Sequence, residues 1–396
     1  MRLLFITSHP VQYNAPLFSY LVKHSHYSIK VFYTLGANTN SIVDNGFGVK
    51  ENWNIDLLCG YDYEFIENTS FHPSSITYLG IKNPSLIKNI KEYRPDGIIV
   101  YGWKHQSHFS VLNYFHGKVP VIFRGDSTTL DDCSGFSLSS YFRFIFLQWV
   151  YRKVDYVLSP GSASDQYFLK SGLKQNQIIR TEHAINNERF MSMSETEENE
   201  LLELKSSLSI KENQVVFLFA GKFIDKKNPL LLIEAFEQLK KIKDNVLLLL
   251  VGNGILEKQI KERINRLPFQ IASAIILLPF QDQHQIKLLY RISNVYVLPS
   301  KGPQETWGLS VNEALACATP VIVSDKCGSS KDLVKHEANG LVFKSDNCQD
   351  LIQKMEMMCN DDFRKRLAAK ATDSLEKYTY ESYKNALDQL FLKGEN

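Results

Sequence analysis

The sequence predicts an α/β protein built from two doubly wound, Rossmann-like domains facing a cleft. Three observations lead there. Short continuous apolar runs recur along the chain, each is followed by an amphipathic or turn-rich segment, and the alternation restarts after a polar break near the middle. Its 396 residues, 44% apolar, suit two to three units at roughly 150 residues each.

In the first half the apolar runs predict strands at Arg2–Thr7, Ser28–Tyr33, Gly97–Tyr101, Val119–Phe123, Tyr156–Ser159 and Ile178–Thr181. Helix-like segments lie between them at Pro16–Lys23, Pro84–Glu92, Ser137–Arg152 and Ser162–Lys170. Residues 38–80 are turn-rich and carry no assigned element. The aromatic run Ser137–Tyr151 has apolar side chains round most of its circumference, so it reads first as a core helix and second as a membrane contact.

The charged stretch Ser192–Glu203 separates the halves. Strands then follow at Val215–Ala220, Val246–Val251, Ala274–Leu278, Val295–Leu298, Val321–Ser324 and Gly340–Phe343. Helices intervene at Pro229–Leu239, Ile255–Leu267, Asp282–Arg291, Ser310–Ala318 and Asn347–Cys359, and the chain after Phe363 reads as helical. Six strands per half fit two open sheets better than one barrel of eight units. The expected domains are 1–190 and 191–370, followed by a final helical segment, 371–396.

Composition narrows the function. Lys plus Arg number 45 against 43 Asp plus Glu, a net charge of +2, and no basic stripe marks a nucleic-acid binder. An aromatic content of 12% argues against disorder. The six cysteines form no CxxC pair and have no histidine at zinc-ligand spacing, which points to a reducing compartment and no metal. With no apolar run suited to a signal peptide or a membrane span, the expectation is a cytoplasmic chain.

The segment richest in chemistry is Pro299–Ser324, read as strand end, polar loop, helix, turn and strand. Glu305 sits in the loop, and Gly308 precedes a helix expected to start near Ser310 or Val311. Free backbone N–H groups at such a start suit a phosphate. Glu313, expected in the first helical turn, suits a ribose diol, and Glu305 a sugar beyond the phosphates. Two carboxylates beside a diphosphate require cations, and Lys222 and Lys227 follow the first strand of the second half in AGKFIDKKNP.

The ordered series GK-x4-K from Gly221, VGNG at Val251–Gly254, VLPS at Val297–Ser300 and ExxGxxxxEAxAxxxPVI from Glu305 resembles the second domain of retaining glycosyltransferases of family 4. The resemblance covers Val215–Phe343 best. It implies the B-type glycosyltransferase fold, with a nucleotide sugar held mainly by the second domain. It further implies no cofactor or metal, and retention of anomeric configuration. Residue by residue, Lys222 and Lys227 match diphosphate contacts, Glu305 the contact to the transferred sugar, and Glu313 the ribose contact. Trp307, Gly308 and Leu309 match backbone contacts, while Gly221, Gly252 and Phe280 fall near the nucleotide. The family's final helix crosses back to the first domain, here expected of Tyr380–Phe391.

The first domain departs from that pattern. SHPVQYNAP at Ser8–Pro16 stands where members carry a glycine-rich loop, and FRGDS at Phe123–Ser127 where they carry a histidine. Arg124 (donor side) and Asp126 (catalytic) occupy that neighbourhood, or pair with each other. His9, Gln12, Tyr13 and Asn14 read as acceptor-side groups or as a loop entering the next helix. His105, with Trp103, reads as an acceptor-side lining or as structural, and His183 as structural.

The expected activity is transfer of a sugar from a nucleoside diphosphate sugar to a glycan, lipid-linked or small-molecule acceptor, in polysaccharide or glycolipid synthesis. Peripheral contact at the inner face of the cell membrane is the expected membrane association. An epimerase or phosphorylase on the same architecture, and a silent nucleotide-sugar binder, are the alternatives.

Overall fold

A computed structural model of the chain describes residues 1–37, 56–130, 138–302 and 305–391. The chain divides into two compact units. The first contains strands β1 (Arg2–Thr7), β2 (Ser28–Tyr33), β3 (Asp62–Phe65), β4 (Gly97–Tyr101), β5 (Val121–Arg124), β6 (Tyr156–Ser159) and β7 (Ile178–Arg180). They form one parallel sheet in the order β3-β2-β1-β4-β5-β6-β7. Helices α1 (Ala15–His24), α2 (Leu86–Tyr93), α3 (Gln106–Phe115), α4 (Leu138–Tyr151) and α5 (Ser162–Lys170) connect them. β1 and β4, buried apart from Arg2 at one end and Tyr101 at the other, lie in the middle, as continuous apolar runs require.

This sheet has seven strands where six are expected, because β3 falls in the stretch left unassigned. Its sequence, DYEF, alternates charge with ring, and Lys30 holds Glu64 at 2.9 Å along this sheet edge. Residues 38–55, Cys133 and Ser137 lie outside the described residues. The fifth strand begins at Val121 rather than Val119, since Pro120 has no N–H to give the ladder.

One histidine ties together the carboxyl ends of three neighbouring strands. Fully buried His108, on α3, has Nδ1 at 2.9 Å from the Gly102 carbonyl and 3.1 Å from that of Tyr101, at the end of β4. Both are acceptors, so Nδ1 carries the proton. Nε2 then faces the Thr34 hydroxyl at 2.8 Å beyond β2, and that hydroxyl lies 3.2 Å from the Thr7 carbonyl of β1. Burial, with a smaller contribution from the neighbouring His105, brings the His108 pKa down to about 4.

The second unit contains α6 (Asn187–Met191), α7 (Glu195–Ser207), β8 (Val215–Ala220), α8 (Pro229–Ile242), β9 (Val246–Val251), α9 (Glu257–Asn265), α10 (Phe269–Ala272), β10 (Ile275–Leu278), α11 (Gln283–Ile292), β11 (Val295–Leu298), α12 (Leu309–Ala316), β12 (Val321–Ser324), α13 (Ser329–Asp332), β13 (Gly340–Phe343), α14 (Cys348–Met358) and α15 (Asp361–Ala368). Its parallel sheet runs β10-β9-β8-β11-β12-β13. Every residue of β8 (VVFLFA) and β9 (VLLLLV) is buried, and each such side chain contributes roughly 1.5–3 kcal/mol.

The expected polar break is in fact helix α7. Ser194 and Glu197 close a reciprocal cap at its start, and Glu197 meets the buried Lys287 ammonium of α11 at 2.6 Å. The unit begins at Ile185 rather than residue 191, because Arg291 donates to the carbonyls of Phe190 and Met191. It runs to Thr379, with Tyr378 beside the Trp307 ring at 5.7 Å.

The last helix, α16 (Tyr380–Phe391), returns to the first unit. Its Glu381 and Asp388 accept from the hydroxyls of Tyr20 and Tyr27 at 2.5 and 2.8 Å, and its Tyr383 hydroxyl lies 3.1 Å from that of Tyr101.

The core assignment for α4 needs correction. Leu147, Val150 and Tyr151 are buried, but Tyr141, Phe142, Phe144, Ile145, Phe146 and Trp149 are exposed. The core of this unit reaches only the last turns of the helix.

The His108 arrangement sets a pH dependence. Its folded pKa lies below its unfolded value, so the stability it provides is full above about pH 6.5 and falls as pH drops toward about 4. Urea unfolding should lose about 2–3 kcal/mol from this group between pH 7 and pH 4.5. His108→Gln should be less stable at both pH values but show a smaller difference between them. An unchanged difference would contradict the assignment.

Candidate functional site

In an open parallel sheet, the strand order reverses where two adjacent loops leave in opposite directions, and ligands collect at the carboxyl ends there. In the second sheet this switch point lies between β8 and β11. The loop after β8 carries Gly221, Lys222 and Lys227, and the loop after β11 carries Glu305, Trp307 and Gly308. The two loops meet through a buried ion pair, with Lys227 Nζ 2.8 Å from Glu305 Oε2. Ser300, at the end of β11, donates its hydroxyl to the same oxygen at 3.0 Å. Main-chain bonding supports the contact, since the Lys301 N–H donates to the Lys226 carbonyl at 3.0 Å.

Burial by itself would raise the Glu305 pKa. The charges of Lys227 and Lys226, with the hydrogen bonds from Lys227 and Ser300, outweigh it and hold the carboxyl below its ordinary value. Glu305 is therefore an anion at neutral pH, and Lys227 is its counterion. Lysine has three N–H donors, so holding one carboxylate leaves donors for a second anion.

Helix α12 begins at Leu309, one residue before the expected start. Its N-cap is Gly308, with φ 87°. A side chain there would be strained, and a Cβ would lie 2.7 Å from Leu298 Cδ2 and 2.8 Å from Cys327 Sγ. The N–H groups of Leu309 and Ser310 fall in the first helical turn, which has no intrahelical acceptors. Glu313 is the fifth residue of the helix, so it lies in the second turn rather than the first. It is buried, accepts from the Tyr290 hydroxyl at 2.9 Å, and has Gln283 Nε2 at 3.5 Å. The Trp307 ring is buried, with its indole N–H donated to Asn312 Oδ1 at 2.8 Å, and its carbonyl accepts the Ser329 N–H at 3.0 Å.

The loop after β9 closes against the loop after β8. Gly252 has φ 145°, and a Cβ there would collide with the Gly221 carbonyl oxygen. Asn253 holds the next loop, accepting the Phe280 N–H at 2.6 Å. Gly221, Gly252 and Phe280 thus belong to one set of abutting turns, with Phe280 half-buried.

In the first sheet the switch point lies between β1 and β4. His9, Gln12, Tyr13 and Asn14 are half-buried after β1, with His9 Nδ1 2.9 Å from Ser8 Oγ. Asp126 is exposed in the loop after β5. Two donor- and acceptor-side expectations are corrected here. Arg124 is buried and directs Nη1 to the Leu158 and Thr181 carbonyls at 3.1 and 2.7 Å, and it lies over the Tyr383 ring. It binds strand ends to α16. His105 is buried, with Nδ1 3.2 Å from the Thr77 carbonyl, and burial lowers its pKa; it stands at the N-cap position of α3, with its ring turned to Thr77 rather than to the helix N–H groups. His183 is half-buried, and desolvation, with the nearby Arg124 charge, lowers its pKa.

Ser300, Tyr290 and Asn253 were not singled out from the sequence. Ser300 and Asn253 lie inside the motifs VLPS and VGNG, whereas nothing in the sequence of α11 marks Tyr290.

Removing one partner of the Lys227–Glu305 pair strands a buried charge. Lys227→Met should cost about 2–4 kcal/mol, and the double variant Lys227→Met with Glu305→Gln should recover at least half of it. Urea unfolding checks both. A double variant as unstable as the sum of its singles would contradict a direct pair.

Comparison with known proteins follows this geometry. Residues 202–374 match the family described as glycosyl transferases group 1. An uncharacterized glycosyltransferase of Methanocaldococcus jannaschii is 26% identical over 185 residues, 46% of each chain. The lipopolysaccharide 1,2-N-acetylglucosaminetransferase of Salmonella typhimurium is 25% identical over 185 residues, 45% of this chain and 48% of its own. The chain spans about half the length of these curated relatives. Among solved structures, Anabaena HepE in complex with UDP and glucose superposes with a TM-score of 0.73 at 17% identity, covering 99% of this chain and 100% of its own. WaaG, a glycosyltransferase involved in lipopolysaccharide biosynthesis, gives 0.67 at 14% identity, covering 97% and 98%. The two parallel sheets share the B-type glycosyltransferase fold of these structures, and residues 202–374 match the model of glycosyl transferases group 1.

Proposed function

We propose that the protein is a retaining glycosyltransferase of family 4. It would move a sugar from a nucleoside diphosphate sugar to an acceptor hydroxyl, in polysaccharide or glycolipid synthesis. The observation that carries this reading is the Lys227–Glu305–Ser300 cluster beside the first turn of α12. A pyrophosphate resting on the N–H groups of Leu309 and Ser310 would place its negative charge beside Lys227, with Lys222 as the second cation. Glu305 would accept hydroxyls of the transferred sugar through the carboxylate capacity that Lys227 and Ser300 leave over. Glu313, oriented by Tyr290, would accept the ribose hydroxyls, with Gly221, Gly252 and Phe280 around the nucleoside.

In this reading the bond from the anomeric carbon to the phosphate oxygen breaks and a bond to the acceptor oxygen forms on the same face. The acceptor proton passes to the departing phosphate, whose developing charge the lysines and helix N–H groups stabilise. No protein nucleophile is required, and the lysines supply the positive charge that a metal would otherwise bring. His9, Gln12, Tyr13, Asn14 and Asp126 are the acceptor-side candidates within the first unit. The relatives in glycolipid and lipopolysaccharide synthesis support a glycan or lipid-linked acceptor.

A panel of nucleoside diphosphates should identify the base, since a ligand at 100 times its Kd stabilises by about 2.7 kcal/mol. With the donor so identified, Lys227→Ala and Glu305→Ala should each lower transfer by about a hundred-fold or more while keeping a cooperative thermal transition. Chelator should leave the wild-type rate unchanged, and NMR of the product should show the donor's anomeric configuration. Near wild-type transfer in both variants would remove the site assignment.

A further inference from the structure

The exposed half of α4 is a large apolar surface that the core of its own unit leaves uncovered. From Ser140 to Phe146 every residue is exposed, so these two turns present side chains to solvent on all sides, and Phe142 alone is 67% exposed. A helix that is apolar all round is ordinarily sunk in a protein core or in lipid. The cluster continues onto neighbouring elements. Trp103, just after β4, lies 5.6 Å from Phe146, and Phe109 of α3 lies 5.1 Å from Trp149. The His105–Thr77 contact brings the exposed Tyr78 and Leu79 beside the start of α3 as well.

On the described elements that carry this surface, residues 97–125 and 138–154, the charged side chains are all basic; the acids nearest α4 in sequence are Asp126, Asp131 and Asp132 before it and Asp155 after it. No Asp or Glu occurs in residues 97–125 or 138–154. Lys104, Arg143 and Arg152 are exposed, and Lys153 sets its ammonium 4.8 Å from the Trp149 ring centroid. Asp155, the next acid, turns inward to accept the Val121 N–H at 2.8 Å.

We propose that the first turns of α4, with Trp103 and Phe109, form a docking surface for an anionic lipid bilayer. Tryptophan and tyrosine favour the boundary between headgroups and acyl chains, phenylalanine and isoleucine enter the apolar layer, and the flanking cations meet lipid phosphates. Exposure on every side of the helix favours lipid, because a protein partner covers one face whereas acyl chains surround an inserted turn. Two-fold pairing with a second copy would set one cationic rim against another, which disfavours self-association as the role of this surface. Among the described residues no helix is long and apolar enough to cross a membrane, so the contact would be peripheral. The inference rests on this surface alone and not on the proposed transfer reaction.

The test is co-sedimentation of the full chain with phosphatidylglycerol vesicles and with phosphatidylcholine vesicles. The wild type should bind the anionic vesicles, and weaken as salt rises. The variant Phe142→Ser with Trp149→Ser should bind roughly ten-fold more weakly or worse. Arg143→Glu should lose anionic preference while keeping every ring. Both variants alter exposed positions, so their thermal transitions should match the wild type, and nucleotide binding, measured in parallel, should be unchanged. Equal vesicle binding by wild type and the double variant would overturn the proposal. So would absence of vesicle binding combined with a dimer, seen by sedimentation velocity, that the same substitutions dissolve.

Discussion

The second unit is organised around a buried ion pair at the carboxyl ends of two adjacent parallel strands. Glu305 is almost inaccessible to water, and an isolated carboxylate there would be strongly disfavoured. It is tolerated because Lys227 approaches from the neighbouring loop and Ser300 donates to the same oxygen. That requirement fixes much else. β8 and β11 must be neighbours, the β8 loop must fold back to bring Lys227 across, and Gly308 must turn through a positive φ to start α12 beside the pair. At Gly252 the chain passes so close to the Gly221 carbonyl that a side chain would not fit.

An ion pair is a poor way to gain stability, since desolvation cancels much of the attraction. Its value here is positional. It holds an anion and a cation in fixed places beside the first turn of α12, which is the preorganisation that the proposed transfer reaction would use. The first unit uses the corresponding edge differently. His108 and Arg124 are spent on tying strand ends and α16 together, leaving the half-buried loop from His9 to Asn14 as the adaptable part.

Much of this was legible from the sequence because parallel strands buried on both faces write themselves as unbroken apolar runs. The edge strand β3 escaped because DYEF alternates ring and charge and has only one neighbour. Helix α7 read as a polar break because it buries no side chain and is held by a cap and by ion pairs to α11. Glu305, Lys227 and Glu313 were legible through ordered motifs, but the hydrogen bond that orients Glu313 was not, since Tyr290 comes from a helix whose pattern reports only burial. Arg124 and His105 illustrate the converse. Sequence places them at strand ends, where ligands gather, and cannot tell whether a side chain points outward or back into the fold. The same blindness applies to α4, whose apolar residues signal burial without saying whether protein or lipid supplies it.

The most direct measurement is a crystal structure of the protein with the nucleoside diphosphate that binds it best. The account predicts the diphosphate against the N–H groups of Leu309 and Ser310, within hydrogen-bond reach of Lys227, with the ribose at Glu313. A nucleotide seated at any other edge of the second sheet, with the Lys227–Glu305 pair unperturbed and remote from it, would contradict it.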